Sequence, residues 1–224
     1  MPFRNRADAG RNLARALSDY KDQRPMILAL PRGGVMVAAE VAAALDAPLD
    51  LVLVRKIGVP AQPELAMGAV VDGDDPIVVR NDDVIRLAGV DDADFTSVCD
   101  AELAEIERRK WRYIGGRERA ELVHRVVIVI DDGIATGATT RAALQAIRKR
   151  NPAKLVLAVP VAPREALPEM RQEADDVVCL ENYEAFGAIG FYYSDFRQVS
   201  DQEVIDTLAR FPARTKEPGR KPAA

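Results

Sequence analysis

Five β-branched residues stand in a row at Val126-Val127-Ile128-Val129-Ile130, the pattern of a strand buried on both faces of a parallel sheet. The run ends on two adjacent carboxylates, Asp131 and Asp132. A loop of small and hydroxylic residues follows, and then a helix for which Thr139 or Thr140 is the expected cap. The same alternation of apolar runs and helical spacing occurs on both sides. Residues 7–17 read as a helix with Leu13 and Leu17 on one face. Met26 to Leu30 reads as a strand broken by Pro31-Arg32-Gly33-Gly34, Val35 to Leu45 as an Ala/Val-rich helix, and Asp50 to Val54 as the next strand. A strand–helix–strand unit predicts parallel neighbours joined by a right-handed crossover. Arg141 to Arg150, stopped by Pro152, and Leu155 to Val161 repeat the unit. Arg164 to Ala174 reads as a helix and Val177 to Leu180 as a strand. Ser200-Asp201-Gln202-Glu203 is a capping box opening a last helix with Val204, Ile205, Leu208 and Phe211 on its buried face.

The region between these units is less regular. Arg55 and Lys56 close the strand at Val54, and Ile57 to Ala66, with Gly58, Pro60 and Pro63, reads as a loop in which Glu64 is a solvated acid or a partner for a cation. Met67 to Val71 and Pro76 to Val79 read as short strands around the turn Asp72-Gly73-Asp74-Asp75. Asp91 or Asp92 caps a helix reaching about Tyr113, with Phe95, Val98, Cys99, Leu103, Ile106 and Tyr113 as its apolar stripe. Tyr113 to Arg119, basic and glycine-hinged, has the composition of a lid to which Arg117 or Arg119 could belong, or of a plain surface loop. Phe186 to Phe196 concentrates aromatic residues in a chain with 5% of them. Pro212 to Ala224, rich in Pro, Lys and Arg, reads as disordered. The expected organisation is one α/β domain over 1–212, a parallel, doubly wound sheet flanked by helices, with a helical insertion at about 81–120 and a small C-terminal hood.

Composition narrows the classes. At 224 residues with 48% hydrophobic and 29% charged, the chain is long enough for a sizeable core. A net charge of −4 argues against nucleic acid as the main partner. There is no apolar run of bilayer length and no signal-peptide core at Met1-Pro2-Phe3-Arg4, so no membrane partner and a cytoplasmic location are expected. Cys99 and Cys179 read as reduced fillers, and a single histidine, His124, excludes a site needing several imidazoles.

The central stretch suits a phosphorylated sugar. Gly137 and its small neighbours let backbone N–H groups approach an anion, Thr136, Thr139 and Thr140 add hydroxyls, and the following helix supplies a positive dipole end. The dipole contributes only ~0.3–1 kcal/mol at exposed sites, so converging hydrogen bonds must carry most of the binding. Two acids beside a phosphate cradle would repel bare phosphate; they make sense facing sugar hydroxyls or a hard cation such as Mg²⁺. Arg32, Gly33 and Gly34 repeat the anion-binding logic after another strand, or form a tight turn only.

Val129-Ile130-Asp131-Asp132-Gly133-Ile134-Ala135-Thr136-Gly137-Ala138-Thr139 resembles the signature of the type I phosphoribosyltransferases, departing from it at Gly133, where an aliphatic residue is usual and a looser turn is expected. The likeness extends over most of residues 3–212, including Val54-Arg55-Lys56-Ile57-Gly58, and is greatest to a bacterial branch of predicted phosphoribosyltransferases with no agreed acceptor. The resemblance implies an Mg²⁺-dependent enzyme that binds phosphoribosyl pyrophosphate (PRPP). It would transfer the phosphoribosyl group to a nitrogenous, nucleobase-like acceptor and release pyrophosphate. Asp131 and Asp132 would hold the ribose hydroxyls and, directly or through them, the metal; Ala135, Thr136, Gly137, Ala138 and Thr139 would hold the 5-phosphate; Arg32, Gly33, Gly34, Arg55 and Lys56 would hold pyrophosphate, with Arg55, Lys56, Asp131 and Asp132 as the catalytic set. Phe191, Tyr192 and Asp195 are the candidate base contacts, and the long helix suggests a homodimer. The alternatives are a PRPP- or nucleotide-sensing regulator without catalysis, and a hydrolase of a ribose phosphate.

Overall fold

The computed structural model describes residues 1–73 and 76–211. Its centre is a five-stranded parallel sheet. The strands are β1 (Met26–Ala29), β2 (Leu49–Leu51), β6 (Val126–Ile130), β7 (Lys154–Pro163) and β8 (Asp176–Tyr183), in the order β2-β1-β6-β7-β8. Val127, Ile128, Val129 and Ile130 are each 0% exposed. At roughly 1.5–3 kcal/mol per fully buried aliphatic side chain, this strand has no alternative to the middle of the sheet.

Helices cover both faces. α1 (Arg6–Ala16) and α2 (Gly33–Leu45) pack on one face through Leu13, Val37, Val41 and Leu45, joined there by α7 (Asp201–Ala209). On the other, α5 (Ala138–Arg148) and α6 (Leu167–Glu173) bury Ala143, Leu144, Ile147, Leu167 and Met170. The capping box of α7 forms as expected, with Ser200 and Glu203 exchanging side-chain-to-backbone hydrogen bonds. No described helix is long and apolar enough to cross a membrane.

A second, antiparallel sheet consists of β3 (Val54–Val59), β4 (Gln62–Val71) and β5 (Ile77–Arg80), followed by α3 (Asp82–Ala88) and the long α4 (Asp92–Tyr113), capped by Asp91. The loop expected over Ile57 to Ala66 is therefore a hairpin, and Arg55 and Lys56 lie within β3 rather than at the end of a strand of the main sheet. The misleading signals were Gly58, Pro60 and Pro63. Pro60 sits in the turn. Gly58 marks a register shift, and Pro63 falls in the irregular stretch between the Gly58–Ala66 and Val59–Gln62 pairs, where no ladder N–H is required of it. Residues 74 and 75 of the expected turn, and the tail from Pro212, lie outside the described residues.

The segment before β6 is not a free lid. Arg119 forms an ion pair with the fully buried Asp72, whose Oδ1 accepts the Leu53 N–H at 2.8 Å. Arg117 donates to the carbonyls of Leu49 at 2.5 Å and Leu208 at 3.1 Å. These arginines tie the two sheets and α7 together.

Candidate active site

The carboxyl ends of β1 and β6 are joined by the Leu30 N–H donating to the Ile130 carbonyl at 2.9 Å. This contact sets the start of α2 beside the acid pair. Gly33 and Gly34 are the first two residues of α2, not a loop ahead of it, and the Pro31–Arg32 peptide is cis. A β-carbon at Gly34 would lie 2.8 Å from the Ile130 carbonyl oxygen and 2.9 Å from the Asp131 Cα. One at Gly33 would meet the Asp132 carboxylate, 2.5 Å from its Cγ, and stand 2.9 Å from the Arg6 Nε. The two glycines are there because helix and acids touch.

The acids differ in surroundings. Asp132 is buried, and its Oδ2 accepts a hydrogen bond from Arg6 Nε at 2.6 Å. Its backbone carbonyl accepts one from the buried Tyr193 hydroxyl, also at 2.6 Å. Asp131 is half-buried, and its Oδ1 accepts the Asp132 N–H at 2.8 Å. Its carboxyl is pushed well above the usual carboxylate range, first by burial and then by the neighbouring Asp132 charge, with the Asp132 N–H and Arg6 acting in the opposite direction. Burial and then Asp132 likewise raise the Tyr193 phenol.

The loop after the acids leads straight into α5. Gly137, at φ +79°, is the residue before the helix, so Thr139 and Thr140 lie in its first turn instead of capping it, and no side chain makes a cap hydrogen bond. A positive φ favours glycine, and a β-carbon at Gly137 would stand 3.2 Å from Met170 Cε. Ala135, Thr136, Ala138 and Thr139 are exposed. Neither α2 nor α5 carries an acid in its own first turn, so both bring the N–H groups and positive dipole end of a helix start to one rim, that of α2 lying against the acid pair. Gly133 does not loosen the turn: a β-carbon there would lie 2.7 Å from Ile189 Cγ2 and 3.0 Å from Val161 Cγ1. The space an aliphatic residue would take is filled by Val161 of β7 and by Ile189 of the C-terminal segment.

The remaining expected residues are more dispersed. Arg32 Nη1 lies 3.7 Å from Asp201 Oδ1, and Asp201 also receives the Tyr113 hydroxyl at 2.5 Å and Arg112 Nε at 3.1 Å. The Tyr113 phenol is pushed up to about 12, by burial first and that hydrogen bond second. Arg55 is held by Glu102 of α4 at 2.5 Å, so its carboxylate partner is not one of the acid pair. Lys56 pairs with Glu64 at 3.0 Å, and shares a cleft of about 680 Å³ with Arg80, Ala138, Thr139 and Arg141, between the antiparallel sheet and α5. Tyr192 stacks on Tyr183 and Phe186 at 4.6 and 4.9 Å between centroids, Asp195 accepts the Arg197 N–H at 3.1 Å, and Phe191 is 68% exposed. Sequence reasoning missed Arg6 and Tyr193. Tyr193 at least stood within the aromatic stretch, whereas nothing around Arg6 marked it.

The phosphoribosyl transferase domain family matches residues 4–196. Two Mycobacterium tuberculosis proteins, from strains CDC 1551 and H37Rv and both named "Putative phosphoribosyl transferase", are 47% identical over 208 residues, 93% of this chain. The chain spans 46% of their length. The crystal structure of TT1426 from Thermus thermophilus superposes with a TM-score of 0.83 at 40% identity, covering 95% of this chain and 100% of that one. The chain belongs to the phosphoribosyl transferase domain family, and its parallel sheet flanked by helices is the type I fold.

Proposed function

We propose that this chain is an Mg²⁺-dependent phosphoribosyltransferase that binds PRPP and passes its phosphoribosyl group to a nitrogenous, nucleobase-like acceptor, releasing pyrophosphate. The observation that carries the reading is the contact of Gly33 and Gly34 with Asp132 and Asp131, beside the exposed loop that opens α5. Two anion-attracting helix starts and an acid pair meet at one sheet rim, where ligands of open parallel sheets bind. In this reading the N–H groups of residues 135–139 take the 5-phosphate, and Asp131 and Asp132 fix the ribose hydroxyls. Gly33 and Gly34 take the pyrophosphate with Arg32, whose 3.7 Å contact with Asp201 leaves donors of its fork for a ligand. Lys56 faces the start of α5 across the cleft it shares with Ala138 and Thr139, and Arg55 is its neighbour in β3, paired with Glu102. Residues 1–212 form the functional domain, with 81–120 as its helical insertion. Phe191 is the open ring of the three candidate base contacts.

The residues present fit a magnesium ion that takes most of its ligands from the substrate. No cluster of three or more His, Cys, Asp or Glu able to hold a metal occurs among the described residues. Asp131 and Asp132 offer the one or two carboxylates usual for Mg²⁺ bound with phosphates. The chemistry such an ion supplies is charge neutralisation on the pyrophosphate oxygens. The protein's share is to hold the ribose and leaving group in line and to place N–H and guanidinium donors where negative charge grows. We extend the reading to a homodimer without nucleic-acid or membrane partners; Trp111 on α4, 77% exposed, is a large apolar side chain open to a second copy.

Incubation with PRPP, Mg²⁺ and a panel of purines, pyrimidines and amines should release pyrophosphate with at least one acceptor. Tight PRPP binding with no release for any acceptor would replace transfer by sensing, and release without acceptor would indicate a hydrolase.

A further inference from the structure

Arg6 opens α1, and its partner Asp132 is 126 residues away. The guanidinium is engaged on three sides. Its Nε donates to Asp132 Oδ2 at 2.6 Å, its Nη1 donates to the Arg197 carbonyl at 2.8 Å, and its carbon lies 3.8 Å from the centre of the Phe196 ring. Both charged side chains are nearly buried, Arg6 at 11% and Asp132 at 12% exposed. Asp132 is held from behind as well, by the Tyr193 hydroxyl on its carbonyl. Tyr193 in turn packs on Phe3, three residues ahead of Arg6, and on Phe196. The N-terminal residues and the segment 193–197 thus close around one carboxylate from opposite ends of the chain.

This clamp has a direction. Oδ2 of Asp132 is taken by Arg6, while no cation or N–H among the described residues is seen to engage Oδ1, and the Asp131 carboxyl stands beside the group. A β-carbon on Gly33 would stand 2.9 Å from Arg6 Nε, so the cation also lies against the first residue of α2. A carboxylate held at one oxygen by a nearly buried guanidinium is restrained in its rotation, which narrows the directions open to the other oxygen. An unpaired guanidinium meant for substrate would sit open at the rim; this one is enclosed and spent on the acid.

We infer that Arg6 is a positioning residue, which locks the Asp132 carboxylate so that its free oxygen receives a ribose hydroxyl of the substrate. The inference rests on the phosphoribosyl reading and deepens it: the N-terminal helix and the C-terminal segment become parts of the sugar site. Towards the sugar, Arg6 acts through Asp132. A ligand that carries the pentose should feel Arg6, and one that carries only the diphosphate should not.

The test is calorimetric titration of wild type, Arg6→Gln and Arg6→Lys, each with PRPP and with inorganic pyrophosphate in the presence of Mg²⁺, alongside thermal melts. Arg6→Gln is expected to weaken PRPP about tenfold or more while pyrophosphate binding stays within about threefold of wild type. Arg6→Lys, which keeps a cation on Asp132, should recover most of the PRPP affinity. Equal PRPP affinity in wild type and Arg6→Gln overturns the inference and leaves the phosphoribosyl reading standing. Equal loss for both ligands, or no recovery in Arg6→Lys despite a wild-type melt, also overturns it, assigning Arg6 to folding or general charge. Wild type that binds pyrophosphate but not PRPP overturns both.

Discussion

Asp132→Asn should lose PRPP binding and melt well below wild type, whereas Asp131→Asn should lose PRPP binding and melt at or above it. The two acids are neighbours, yet their local energetics have opposite signs. Asp132 neutralises a guanidinium that is itself nearly buried. Removing one partner of a buried pair costs roughly 3–5 kcal/mol, because the other charge stays behind. With about 2–4 °C per kcal/mol for a chain of this size, the melt should fall by roughly 10 °C. Asp131 has no cation within hydrogen-bond reach among the described residues, and burial and Asp132 both oppose its ionisation. A carboxyl whose folded pKa is raised holds its proton longer in the folded than in the unfolded state. Stability is then greatest below the unfolded value of about 4 and falls as pH climbs from there towards the raised value. Asparagine removes that loss and keeps an oxygen for the Asp132 N–H. The melting difference between Asp131→Asn and wild type should therefore widen in favour of the variant as pH rises above about 4. A flat difference across that range would contradict the assignment of Asp131 as the strained member.

Gly34→Ala and Gly33→Ala should separate stability from binding in the same way. The added methyl at position 34 meets the Ile130 carbonyl and the Asp131 Cα. Both are backbone at the end of the central strand, so α2 itself must move off the sheet. Overpacking of this kind costs typically 1–3 kcal/mol and occasionally more, and the rigidity of β6 places it at the upper end. At position 33 the methyl meets the end of the Asp132 side chain, which can swing aside. Gly33→Ala should thus keep more of the fold and lose the ribose acid's position. Thermal melts and PRPP titrations of both variants check this; a Gly33→Ala protein with wild-type affinity would show that the carboxylate can leave without cost to the site.

The central strand, the acid pair and the phosphate loop were legible because they are contiguous: one unbroken stretch, Val126 to Thr140, carries both the fold signal and the chemistry. The hairpin of β3 and β4 was not, since Gly58, Pro60 and Pro63 look like a loop until the register shift shows where each is tolerated. Arg117 and Arg119 have the composition of a lid, and only their buried partners, Asp72 and two carbonyls, reveal them as braces. Gly133 looked like a weakened signature, whereas Ile189 and Val161 occupy its missing side chain. Arg6 was invisible for a plainer reason. A basic residue at the start of a helix is ordinary, and no local pattern shows that the chain will bring it to an acid at the far end of the central strand.

The most direct measurement is calorimetry of PRPP with Mg²⁺ on wild type and on Asp131→Asn, the variant expected to stay folded. Saturable heat at one site per chain for wild type, and none for the variant, is the predicted result. No heat with wild type, or undiminished heat with the variant, would contradict a pentose gripped by these two carboxylates.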